Sequence, residues 1–189
     1  GFFLHFTDSP LRRKGRMTRQ QRARREALER RFGRPDPQAV RKDIRRLLDV
    51  ATAHGRGITI RSDDHRAYPP AIREVQAIVR HEVTPSTDHR DRHNKLYEIN
   101  LVDGLMRHGG ANHRRETWAW AKRRGMAALR LAVFLVWRNY VRPRWKKRCS
   151  ETPAMQSGLT DRPLTAAEVL GRRLFAAKVG LEGRWAEYY

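Results

Sequence analysis

The chain has 189 residues, with 41 Lys or Arg against 20 Asp or Glu, a formal net charge of +21. That length allows one medium domain or a domain with an appendage, and the imbalance implies a polyanionic partner, nucleic acid before an anionic membrane surface. A single cysteine, Cys149, excludes an intramolecular disulfide and a Cys-rich zinc site and fits a reducing cytosol, while 39% hydrophobic content argues against a wholly disordered chain.

Phe2 to Thr7 reads as a short strand that ends at the turn signal Asp8-Ser9-Pro10. Leu11 to Arg31 holds ten basic residues and two acids, and Thr18 to Arg31 is compatible with a helix closed by Gly33. Asp36 as N-cap and Pro37 in the first turn predict a second helix, with Val40, Ile44, Leu47, Leu48 and Ala51 at helical spacing. Gly55 and Gly57 end it. Ile58 to Ser62 reads as a strand stopped by Asp63-Asp64. Tyr68-Pro69-Pro70 opens a third helix bearing Ile72, Val75, Ile78 and Val79, and Glu82-Val83-Thr84 reads as a second short strand.

Pro85 to Asn94 is polar and loop-like. Helices dominate from Glu98 to Val141, broken at Gly109-Gly110. The run Ala127 to Val141 carries Arg130 and Arg138 and is too short to span a bilayer, so it reads as a buried helix, with the nearby Trp and aliphatic side chains as core. Residues 143–160 read as a linker, and Thr165-Ala166-Ala167-Glu168 as a capping box that opens a last helix. The alternation of elements is an α/β pattern.

Asp63 is the first candidate for chemistry. A carboxylate at a strand end is held by the strand while its tip meets solvent, which suits a Mg²⁺ or Mn²⁺ ion; the same position also suits a plain turn residue or helix cap. His89 and His93 are four apart but lie in a loop, where solvated histidines are the simpler reading. Arg12, Arg13, Lys14 and Arg16 could grip phosphates, and so could the run from Arg107 to Arg148, which holds thirteen Lys or Arg and one acid, Glu116. No Gly-rich phosphate loop, dinucleotide fingerprint or Ser-His-Asp arrangement is visible.

Arg107, then Arg115-x-Thr117-x-x-Trp120-x-Lys122, then Arg138-Asn139-Tyr140 resembles the catalytic segment of bacterial insertion-sequence transposases of the DDE superfamily, nearest the insertion-sequence-one type. Ser62 to Tyr68 is similar to that family's second-aspartate motif, and Thr7 to Thr18 looks like a stretch found in a subgroup. The resemblance implies an α/β, RNase H-like (retroviral-integrase-type) catalytic core over residues 1–142, incomplete at its N-terminus, with a helical C-terminal extension over 161–189. It implies metal-dependent phosphodiester cleavage and strand transfer by a homo-oligomer acting on terminal repeats and target DNA, in a cytoplasmic, nucleoid-associated bacterial protein. The family's first aspartate matches no residue here and is expected upstream of Phe2.

The family's third acid falls seven residues before Arg107, where this chain has Asn100. Its amide oxygen can ligate a cation but brings no negative charge. Glu98 is the rival, and Asp103 and Glu116 are outside candidates. The implied site is therefore Asp63 and Asn100 as metal ligands, with Glu98 as the alternative. Arg107, Arg114, Arg115, Lys122 and Arg123 would join Arg12, Arg13, Lys14 and Arg16 on DNA phosphates. Two other readings stand beside it: a non-catalytic nucleic-acid-binding protein or decayed transposase remnant, and a basic ribosome-associated protein that prefers RNA.

Overall fold

The computed structural model describes residues 1–55, 57–114, 123–144 and 150–171. The chain divides into two compact units, residues 4–97 and residues 1–3 with 98–189. The architecture is mixed α/β, with a sheet of two parallel strands among the described residues.

In the unit of residues 4–97, α1 (Arg19–Phe32) starts at Thr18, whose side chain accepts from Gln21 N–H while the Gln21 side chain accepts from Thr18 N–H. It ends at Gly33, whose φ of 80° and ψ of 168° suit only glycine. No residue of α1 is buried. Helix α2 (Ala39–Thr52) is amphipathic and buries Ala39, Asp43, Ile44 and Leu48. Asp36 does not cap it as expected. Its Oδ1 accepts from Gln38 N–H, closing a turn ahead of the helix, and Gln38 takes the N-cap position.

Strand β1 (Ile58–Ser62) lies where the alternation placed it. Helix α3 (Tyr68–Arg73) is shorter than expected, and strand β2 (Val79–Val83) takes Val79, which the spacing assigns to that helix. The register pairs Ile58 with Val79, Ile60 with His81 and Ser62 with Val83, so Val79 belongs to the ladder and Ile78 is left 84% exposed beside it. The core joins α2 to α3 and β1. Ile44, Leu48, Ala67 and Ala71 are buried, with Val40, Ile58, Ile60, Tyr68, Ile72 and Val75 packed around them. Each fully buried aliphatic side chain of this size contributes about 1.5–3 kcal/mol. The helix face also buries Asp43, which accepts from Ser9 Oγ at 2.5 Å and from Arg46 at 3.3 Å and so ties the N-terminal segment to α2.

The other unit takes up the chain along α4 (Tyr97–Gly109). A short 3₁₀ turn (Ala111–His113), α5 (Arg124–Val136) and a π turn (Trp137–Val141) follow. Helix α5 buries Ala128 and Leu135, but Val133 and Trp137 are 67% and 40% exposed, so the expectation that this run is buried core holds for one face only. Trp137 instead carries the Arg142 guanidinium 4.9 Å above its ring. Phe2 and Phe3 form no strand. The side-chain amide of Asn139 takes both main-chain polar groups of Phe3, and Phe2 meets Tyr140 edge to face at 5.9 Å.

The segment read as a linker contains a packed helix, α6 (Pro153–Gln156), capped by the fully buried Thr152. Leu164 N–H then donates to the Tyr140 carbonyl. The capping box at Thr165 opens α7 (Ala166–Gly171) as expected. No helix among the described residues is long and apolar enough to cross a membrane.

Candidate functional site

The end of β1 delivers Asp63 to an exposed position, one residue past the buried Ser62. Parallel pairing carries the ladder to this point, since Thr84 N–H donates to the Ser62 carbonyl at 2.9 Å. Asp63 Oδ1 accepts from His65 N–H at 3.2 Å, the local turn that short acids favour. Asp64 accepts from Ser86 Oγ at 3.3 Å. Behind them, Ser62 Oγ and His81 Nε2 share a 2.9 Å hydrogen bond, and the Tyr68 ring lies 5.9 Å from His81 and 6.5 Å from His65. Burial pushes the Tyr68 phenol above its ordinary range, and the Asp63 charge pushes it further.

Asp63 belongs to the unit of residues 4–97, and Asn100 belongs to the other. Asn100 sits half-buried on α4. Glu98, in the first turn of the same helix, ion-pairs with Arg144 and with the Gly1 amine. Burial raises the Glu98 carboxyl, but these two cations outweigh it and hold the group below the usual range. Asp103 ion-pairs with Arg107 one turn further on. No cluster of three His, Cys, Asp or Glu suited to a metal ion occurs among the described residues. As a fit for a divalent ion, Asp63 offers one exposed carboxylate with an oxygen already engaged by its own turn. Magnesium takes few protein oxygens and retains waters, so such a carboxylate fits part of its shell and leaves the rest to other donors.

The basic residues divide by what they already touch. Arg12 donates through Nε and Nη2 to the two carboxylate oxygens of Glu29, at 2.8 and 3.2 Å. Arg25 and Arg34 approach the same carboxylate at 3.4 and 3.5 Å. The Arg12 hydrogen bond is the main cause that holds the Glu29 carboxyl below its usual range. This convergence pins residues 12–16 against α1, and Arg25 adds a hydrogen bond to the Arg13 carbonyl. Arg12 is thus a fastening residue of that segment, whereas Arg13, Lys14 and Arg16 are exposed beside it. Arg13 reaches the Arg16 carbonyl, and Lys14, Arg16 and Arg22 line one open cleft with Gln21 and Arg25.

In the other unit Arg107 is engaged by Asp103, Arg114 Nε donates to the Arg107 carbonyl, and Arg123 is exposed just ahead of α5. Arg115, Glu116 and Lys122 lie outside the described residues. His89 and His93 are both exposed in the loop after β2, with His89 3.7 Å from Asp91.

No family model, curated protein or solved structure matches the chain.

Two features escaped the reading of the sequence. Arg138 is 1% exposed, and its three guanidinium nitrogens find no hydrogen-bond partner among the described residues. Burial, and next the Arg142 charge, lower its affinity for a proton, with Glu98 acting against them. Its place beside Asn139 and Tyr140 in a motif was the one available signal. The second is Glu29, an acid in a strongly basic helix, whose scarcity there is itself the signal that several cations converge on it.

Proposed function

We propose that this chain binds DNA through its basic surfaces and is part of an insertion-sequence transposase of the DDE type, with an RNase H-like core. The observation that supports it best is the exposed, acid-poor surface formed by residues 13–16 and α1, held in place by Glu29. Cations pre-arranged in this way neutralise successive phosphates and release counterions, so affinity falls with salt at a log–log slope of about −0.9 per phosphate contacted. Asp63 is the residue that would hold a Mg²⁺ or Mn²⁺ ion. A bound ion would supply charge neutralisation at a scissile phosphodiester. Arg107, Arg114, Arg115, Lys122 and Arg123 would contact DNA phosphates. The substrates would be the element's terminal repeats and target DNA, and the working form a homo-oligomer.

A second reading is a non-catalytic basic nucleic-acid-binding module. It is favoured by Asp63 Oδ1 capping its own turn at His65 N–H.

Duplex binding across a salt series, together with nicking of supercoiled plasmid in Mg²⁺ or Mn²⁺, separates the two. Metal-dependent nicking that Asp63→Ala abolishes, with duplex binding retained, supports the transposase. Salt-sensitive binding with no nicking supports the module. Absence of salt-sensitive duplex binding removes both.

A further inference from the structure

Helix α1 spans fourteen residues and buries none of them. A helix without a core face is stabilised by its own side-chain pairs or by a partner outside the fold. Its exposed side chains are not uniform. Gln20, Ala23, Arg24, Ala27 and Arg31 recur at i, i+3, i+4, i+7 and i+11 and form one stripe, flanked by Arg19 and Arg30. No acid falls in that stripe. Of the acids of α1, Glu29 lies on the opposite side, where it receives Arg12, Arg25 and Arg34, and Glu26 borders the edge that Arg19 and Arg30 form.

The geometry points to α1 as a helix that enters the major groove of duplex DNA, with Gln20, Arg24 and Arg31 at base edges and Arg19 and Arg30 on phosphates beside it. This rests on the DNA-binding reading above and adds the groove and the reading residues.

Three observations carry it. First, the stripe pairs planar hydrogen-bonding heads with alanines. Arginine forks onto guanine O6 and N7, glutamine onto adenine N6 and N7, and alanine lets the helix axis approach and touches a thymine methyl. Second, the stripe is left clear. Glu29 holds Arg12 by a two-point fork and Arg25 reaches the Arg13 carbonyl, so the 12–16 segment lies against the opposite face of α1. Third, the partner must be both anionic and wide-grooved. The B-form major groove admits a helix, whereas the A-form groove of duplex RNA is too narrow. A lipid surface would need a broad apolar face, and α1 offers only Leu28 and Phe32 beyond its alanines.

The test uses three duplexes of one sequence: plain DNA, DNA whose cytosines carry a glucosylated hydroxymethyl group that fills the major groove, and RNA. Binding of the full chain is compared with that of an Arg24→Ala, Arg31→Ala double variant. Because α1 buries nothing, the double variant is expected to fold, and its circular dichroism checks this. A more conservative Arg24→Lys, Arg31→Lys variant keeps the charge but loses the fork. Major-groove insertion predicts that glucosylation and RNA geometry each weaken binding about tenfold or more, and that both variants bind plain and glucosylated DNA with closer affinities than the parent does. Equal affinity of the parent chain for plain and glucosylated DNA overturns the groove assignment and leaves phosphate binding standing. Failure to bind any duplex overturns the DNA-binding reading as well.

Discussion

The side-chain amide of Asn139 holds Phe3 from both sides of its main chain, accepting its N–H at 2.9 Å and donating to its carbonyl at 2.8 Å across 136 residues of sequence. One side chain thereby does what a neighbouring strand does in a ladder. Asn139 is 4% exposed, so water cannot replace the pair.

Asn139→Leu is therefore expected to leave both polar groups of Phe3 without partners and to destabilise the chain by about 1–3 kcal/mol. Urea unfolding checks it. A midpoint unchanged from the parent would mean that Phe3 contributes nothing to the fold.

Arg12 and Arg16 are close in sequence but differ in what they do. Arg16→Ala should weaken duplex binding across sequences and reduce the salt slope by about one, as loss of one phosphate contact does. Arg12→Ala should instead release the 12–16 segment from Glu29, raising amide exchange there. Identical salt slopes for Arg16→Ala and the parent would rule out a phosphate role for Arg16.

Tyr68 reports on Asp63. Its phenol ionises above the ordinary 10.0 because of burial and then the Asp63 charge. Asp63→Asn removes the second cause, so the Tyr68 titration followed by NMR should shift to lower pH. The sign for stability follows. The folded-state value is raised, so this contribution is complete below pH 10.0 and is lost as pH rises through the folded-state value. A Tyr68 titration unmoved by Asp63→Asn would contradict the packing described at the end of β1.

Glu168 is held to about 2 by its hydrogen bond from Arg162 and by the Thr165 N–H and hydroxyl. A depressed carboxyl contributes stability above its unfolded value near 4.5 and loses it as pH falls through about 2. Arg162→Ala should move the Glu168 titration upward toward 4.5. If it stays near 2, the capping box alone holds the charge.

Much of the unit of residues 4–97 was legible because its signals are local. Ile58 to Ser62 alternates between glycine and acid, and Gly33 and Thr165 mark helix ends by backbone and capping chemistry. The errors lie where distant contacts decide. Val79 fits a helical spacing from Ile72 and Val75, and only its register against Ile58 makes it a strand residue. Phe2 to Thr7 has strand composition, but no strand among the described residues pairs with it, and Asn139 supplies the hydrogen bonds instead. Asp43 looks like a surface acid until Ser9 folds onto it. At the candidate site, the place of Asp63 was readable from the strand boundary. The fastening of Arg12 to Glu29 was not, because spacing alone does not show which cation an acid selects.

A helix that buries nothing has little to hold it beyond its caps and ion pairs, and isolated helices of this length are marginal in water. Helix α1 should therefore open and close on its own, well below the free energy that unfolds the core built on Ile44 and Leu48. Its amides would then be among the first in the chain to exchange, and a bound polyanion would slow them by closing a segment that the fold itself leaves loosely shut.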